Sequence, residues 1–173
     1  MASLSGIRER PPTLEVPEGP FRLTSPAFES ADELPQRCAA VSPPLAWTAP
    51  PVGTRTLAVT GELCERRLSA DDEAGVLPAC TVWVGWGIAA AAGGLRAGQE
   101  PCFVGVRYTG CSAQEDERVL LFSLLALDCV PPLLAGTRRR AFDWAVSGHV
   151  LGIALLVARC PGSRRWPLRR AGR

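Results

Sequence analysis

Leu23-Thr24-Ser25-Pro26-Ala27-Phe28, followed by Ser42-Pro43-Pro44-Leu45-Ala46-Trp47 and Pro51-Val52-Gly53-Thr54-Arg55-Thr56-Leu57-Ala58, is the stretch that decides the fold. Short apolar pieces alternate with prolines along it. Pro26, Pro35, Pro43, Pro44, Pro50 and Pro51 each fix φ and lack a backbone donor, so no long helix can pass. Strand, turn and strand remain, with Trp47 as a large buried anchor.

Downstream, Leu57-Ala58-Val59 reads as a central strand, and the charged run from Cys64 to Gly75 reads as a solvated loop. Val76 to Leu95 carries no charge over twenty residues, the length of a membrane-crossing helix. Pro78, four glycines and the β-rich Thr81-Val82-Trp83-Val84 argue instead for a buried strand and a glycine turn. Cys102–Val106 and Val119–Asp128 read as further strands, separated by the charged Glu115-Asp116-Glu117. From Arg138 to Ala158, Phe142, Val146, His149, Val150, Ile153 and Val157 recur at three- and four-residue steps. That spacing predicts a helix with one apolar face, capped by Thr137, with Gly148 and Gly152 in its interior.

The order of these motifs resembles the phosphatidylethanolamine-binding protein (PEBP) family. Its members carry a near-identical LTSPAF, then SPPLxW, then P-x-GT-x-SLAL. Leu121–Asp128 resembles the family's FFKLYALD, and Ser147-Gly148-His149-Val150-Leu151 its C-terminal GHILA. The resemblance implies a mainly β protein, an antiparallel β-sandwich with a C-terminal helix packed on it. It spans residues 21–160, leaving residues 1–20 as an irregular extension and 161–173 as a basic tail.

The family binds phosphate or phospholipid head groups in a small pocket, built from an Asp-Pro-Asp-x-Pro segment, a His before a strand Trp, a glycine-proline loop with a Cys, and a Pro-His-Arg-Tyr segment. Here Gly61-Glu62-Leu63-Cys64-Glu65 follows the central strand, and Val82 precedes Trp83. Arg107, Tyr108 and Cys111 lie on the glycine loop, while Arg118 and Leu120 stand where His and Tyr are expected. An anion among Val82 and Leu120 would lose its hydration without compensation. The resemblance therefore implies a degenerate ligand pocket at Val82, Trp83, Arg107, Tyr108, Cys111, Arg118 and Leu120. Arg107, Tyr108 and Arg118 are the groups from which a cruder anion site would be rebuilt.

Charge is divided unevenly. All basic residues are arginines: residues 1–163 hold 14 against 17 acidic residues, whereas residues 164–173 hold five and no acid. Arg138, Arg139 and Arg140 open the predicted helix, where positive charge opposes the macrodipole and invites an acidic partner. Arg164, Arg165, Trp166, Arg169 and Arg170 interleave arginine with an aromatic, which suits RNA phosphate, acidic protein or anionic lipid about equally.

One histidine, His149, falls on the apolar face of the predicted helix, and no nucleophile has a spare imidazole beside it. The seven cysteines form no Cys-x-x-Cys pair and read as buried thiols of a reducing compartment, with Cys102 and Cys111 able to meet across a loop. No metal site or cofactor is expected from dispersed cysteines and one imidazole. Met1–Arg10 lacks an apolar signal core, so the expectation is an intracellular, non-secreted protein that does not span a membrane. Together these readings anticipate a non-catalytic structural or interaction subunit of a larger assembly. The PEBP fold recurs in the large subunit of the mitochondrial ribosome, which points first to a mitochondrial complex (that ribosome, or a respiratory-chain or ATP-synthase assembly). The other reading is a free regulator, cytoplasmic in that case, that binds phospholipid or phosphate.

Overall fold

Strand β3 (Thr56–Arg67) lies at the centre of the larger sheet, because Leu57, Ala58, Val59 and Thr60 are buried on both faces. The computed structural model describes residues 19–67, 75–111 and 118–161. β1 (Leu23–Thr24), β2 (Leu45–Trp47) and β5 (Gly94–Leu95) form a three-stranded sheet in the order β1-β2-β5. β4 (Gly75–Ala89), β6 (Phe103–Val106), β7 (Arg118–Leu127) and β8 (Val150–Arg159) join β3 in a five-stranded sheet ordered β6-β4-β3-β7-β8. Every strand pairing is antiparallel.

The small sheet covers one face of the large one. Leu23, Leu45, Trp47 and Leu95 meet Leu57, Val59, Leu124 and Leu156 in the main core. A second core lies on the opposite face, where α1 (Arg139–Val146) lays Phe142 and Val146 against Ala58, Trp86 and Leu127. Trp86 sits between the rings of Phe103 and Phe142, at centroid distances of 6.0 and 5.8 Å. The expected sandwich with a helix packed on it is present.

Boundaries differ from expectation in two places. β3 continues to Arg67 and β4 begins at Gly75, so Cys64–Arg67 and Gly75 of the anticipated charged loop are paired strand, and its residues 68–74 lie outside the described residues. The uncharged run after Val76 is strand followed by a glycine turn, and no helix among the described residues is long and apolar enough to cross a membrane.

The predicted helix over 138–158 is two elements. α1 ends at Val146, Gly148 takes φ +80°, and the chain leaves as β8. Val150 to Ala158 is apolar at almost every position, so a period of 3.6 and a period of 2 fit it equally. The partner decides: Leu121 to Leu125 of β7 pair with Val157 to Ile153. Gly148 is therefore a helix terminator, and the chain-reversing left-handed conformation is what requires glycine there. Thr137 does not cap the helix; its hydroxyl donates to the Leu134 carbonyl at 2.6 Å.

The outer edge of β8 is covered at one end by residues 31–34. Ala31 N donates to Val157 O, Leu34 N to Arg159 O, and Arg159 N to Asp32 O, each at 2.8 Å. Ala31 adopts φ +72°, a left-handed conformation that a Cβ disfavours. Relief of that strain, set against the extra freedom glycine adds to the unfolded chain, leads to a definite expectation. Ala31→Gly should stabilise the protein by about 0.5 kcal/mol, read as a higher urea midpoint with an unchanged slope.

Candidate functional site

Five of the seven residues at the expected pocket come together, as core. Val82, Trp83, Tyr108, Cys111 and Leu120 are all buried in the main cluster with Phe122. Strands β4 and β7 bring Val82, Trp83 and Leu120 there, and the loop after β6 folds Tyr108 over them. Thr109 N donates to Val82 O at 3.0 Å, which holds that loop against β4.

The ring of Tyr108 lies edge-on to Trp83 at 5.6 Å and stacked near Phe122 at 6.3 Å, while Trp83 and Phe122 meet edge-on at 6.5 Å. The Tyr108 hydroxyl donates to the Cys38 carbonyl at 2.8 Å. The one tyrosine of the chain thus has its polar end occupied by backbone, and burial pushes its ionisation well above the ordinary range.

The remaining two pocket residues are arginines in different settings. Arg107 faces solvent and approaches Glu100 at 3.8 Å. Arg118 stands at the start of β7, where its carbonyl accepts from Cys160 N and its charge opposes the upward shift of the Cys160 thiol. Of the three groups from which an anion site would be rebuilt, the Tyr108 hydroxyl is engaged by the Cys38 carbonyl.

The cysteines divide by position. Cys38, Cys64, Cys111 and Cys160 are buried, Cys80 and Cys102 are exposed, and all seven are free thiols. Cys102 and Cys111, able by spacing to meet across a loop, are separate free thiols; the Cys111 thiol hydrogen-bonds with Cys160, which holds Cys160 protonated and lowers Cys111. Burial, reinforced by Glu62, pushes the Cys64 thiol from 9.0 up to about 11. An unfolded chain therefore releases this proton before the folded one does, so the stabilisation is complete below pH 9 and is lost as pH rises toward 11. Between those values unfolding free energy should fall with pH, and Cys64→Ala should flatten that slope by up to about 1.4 kcal/mol per pH unit. Urea titrations at stepped pH measure both slopes.

The three arginines opening α1 have different environments. Arg139 donates to Glu62 and to Asp143, both at 2.6 Å, which ties the helix to β3 and neutralises the charge at the helix start. The Glu62 link joins residues 77 apart in sequence, so spacing gave no sign of it. Arg138 and Arg140 remain exposed and line a groove with Leu133 and with Trp144, a residue 85% exposed. A smaller hollow of about 190 Å³ opens beside Ser25, Phe28 and Leu156. Arg164, Arg165, Trp166, Arg169 and Arg170 lie outside the described residues.

His149 is not on an apolar helix face. It occupies the turn between α1 and β8, about half exposed, with Nδ1 2.8 Å from Asp128 Oδ1. Cys129 lies beside this pair, and the three potential ligand atoms are all within 4.8 Å of one another.

Two solved structures share this fold over about four-fifths of the chain. A phosphatidylethanolamine-binding protein homologue of Chlamydia trachomatis, CT736, superposes with a TM-score of 0.67 at 19% identity, over 80% of this chain and 95% of that one. Escherichia coli YbcL, described as a member of the mammalian PEBP family, superposes with a TM-score of 0.63 at 15% identity, over 82% and 98%. At such identities the likeness establishes the fold alone. Residues 24–160 also match the family model "phosphatidylethanolamine-binding protein". The chain belongs to that family. Curated proteins gave no significant match.

Proposed function

We propose that this protein is a non-catalytic member of the family whose ligand pocket has been filled by its own side chains and which acts by docking to other macromolecules. The observation that carries this reading is Tyr108, packed between Trp83 and Phe122 with its hydroxyl bonded to Cys38 O. An anion entering there would have to displace an aromatic ring and find compensation among Val82 and Leu120, which offer no donor. Arg138, Arg140 and Trp144 at α1 supply a cationic, aromatic surface suited to an acidic partner subunit, and the sequence after residue 163 carries five further arginines and no acid. The host is an assembly of protein subunits, with the organellar setting anticipated above as the first to examine.

Calorimetric titration with inorganic phosphate and with phosphoethanolamine should show no saturable heat. Saturable binding abolished by Arg118→Ala would establish the ligand-sensing alternative instead. Gently purified native material should migrate well above the 18.4 kDa monomer. Arg138→Glu combined with Arg140→Glu should release the partner, and migration at monomer mass from the outset would overturn the docking role.

A further inference from the structure

We propose that Asp128, Cys129 and His149 form a binding site for a divalent cation of the zinc class. The residues come from two segments twenty positions apart, brought together where β7 hands over to the loop after it and where the turn after α1 enters β8. Backbone bonds pin the juxtaposition. Asp128 N donates to His149 O at 3.1 Å, His149 N to Val146 O at 2.9 Å, and the next pair in register is Leu127 with Val150.

The ligand atoms lie within 4.8 Å of one another, and His149 Nδ1 and Asp128 Oδ1 are 2.8 Å apart. Metal bonds of about 2.0–2.3 Å in a tetrahedron place neighbouring ligand atoms about 3.3–3.7 Å apart. The 2.8 Å pair has to open to reach those separations, and the other two pairs, already within 4.8 Å, lie in range of side-chain rotation. Both Asp128 and His149 are about half exposed, so their side chains have room to turn.

The donor set selects the cation. One thiolate, one imidazole and one carboxylate suit a borderline-soft ion, whereas calcium and magnesium require oxygen ligands. With thiol and carboxylate ionised, the ligands carry two negative charges against the ion's two positive ones. Arg55, whose charge acts on Cys129, opposes the cation and limits affinity. Three protein ligands leave a fourth position to water or to a side chain of a docked partner.

The test uses cobalt(II) as a spectroscopic probe on full-length protein carrying Cys80→Ser and Cys102→Ser, which removes the two exposed thiols elsewhere. One equivalent should bind with a sulfur-to-cobalt charge-transfer band, and zinc should displace it. Adding Cys129→Ser should abolish the band, and His149→Gln should weaken binding by at least about tenfold. Absence of the band, or its persistence after Cys129→Ser, would overturn the site. Zinc should also slow alkylation of Cys129 in the unmodified protein, mapped by mass spectrometry; an unchanged rate would overturn the site independently of how the variants fold.

Discussion

Gly110→Ala is expected to destabilise the protein by at least about 3 kcal/mol, enough to remove much of the stability of a domain this size. Gly110 sits at φ +67°, and a Cβ there would run directly into the Ala39 carbonyl oxygen, with the carbonyl carbon only 2.6 Å away. The obstacle is backbone, so no rotamer change relieves it. The short 3₁₀ turn Gln36–Ala39 would have to move, carrying with it the Cys38 carbonyl that receives the Tyr108 hydroxyl. Gly148 supplies the control: its φ is +80°, yet a Cβ there meets nothing within 4 Å. Gly148→Ala should therefore cost only the conformational strain, about 1–2 kcal/mol. Urea denaturation of both variants separates collision from strain, and equal losses would refute the close approach.

The sheet architecture was legible because its signals are local. Prolines at 26, 43, 44, 50 and 51 exclude helix wherever they fall, and Trp47 marks the strand that must be buried. β8 reads equally as helix because an edge strand lined with Val, Leu, Ile and Ala has no polar residues to mark its period. Gly148 held the missing information, since a left-handed terminator and a mid-helix glycine look alike in sequence. Resemblance named Val82, Trp83, Tyr108 and Leu120 one by one, but not the reach of Tyr108 to the carbonyl of Cys38, 70 residues away, a contact fixed by tertiary packing. Distance in sequence likewise concealed the Glu62–Arg139 link and the meeting of Asp128, Cys129 and His149. Pairs that far apart follow from the order of strands, which composition and periodicity do not specify.

Trp83→Ala is expected to cost about 3–5 kcal/mol, whereas Trp83→Phe should cost far less, about 1–2 kcal/mol. Trp83 is fully buried and contacts both Tyr108 and Phe122 edge-on. Its indole N–H has no acceptor among the described residues, so the ring contributes volume and dispersion rather than a hydrogen bond. Phenylalanine keeps most of that volume; alanine leaves a cavity into which Tyr108 and Phe122 cannot fully relax. The pair of variants also bears on function. The aromatic lining of an open ligand cleft is partly wet, and its truncation mainly reduces affinity; the lining of a closed one is core, and its truncation reduces stability. Denaturation midpoints that fall steeply for alanine and little for phenylalanine would match a closed cleft. A near-wild-type midpoint for Trp83→Ala would mean that Tyr108 does not seal the site, and the filled-pocket account would fail with it.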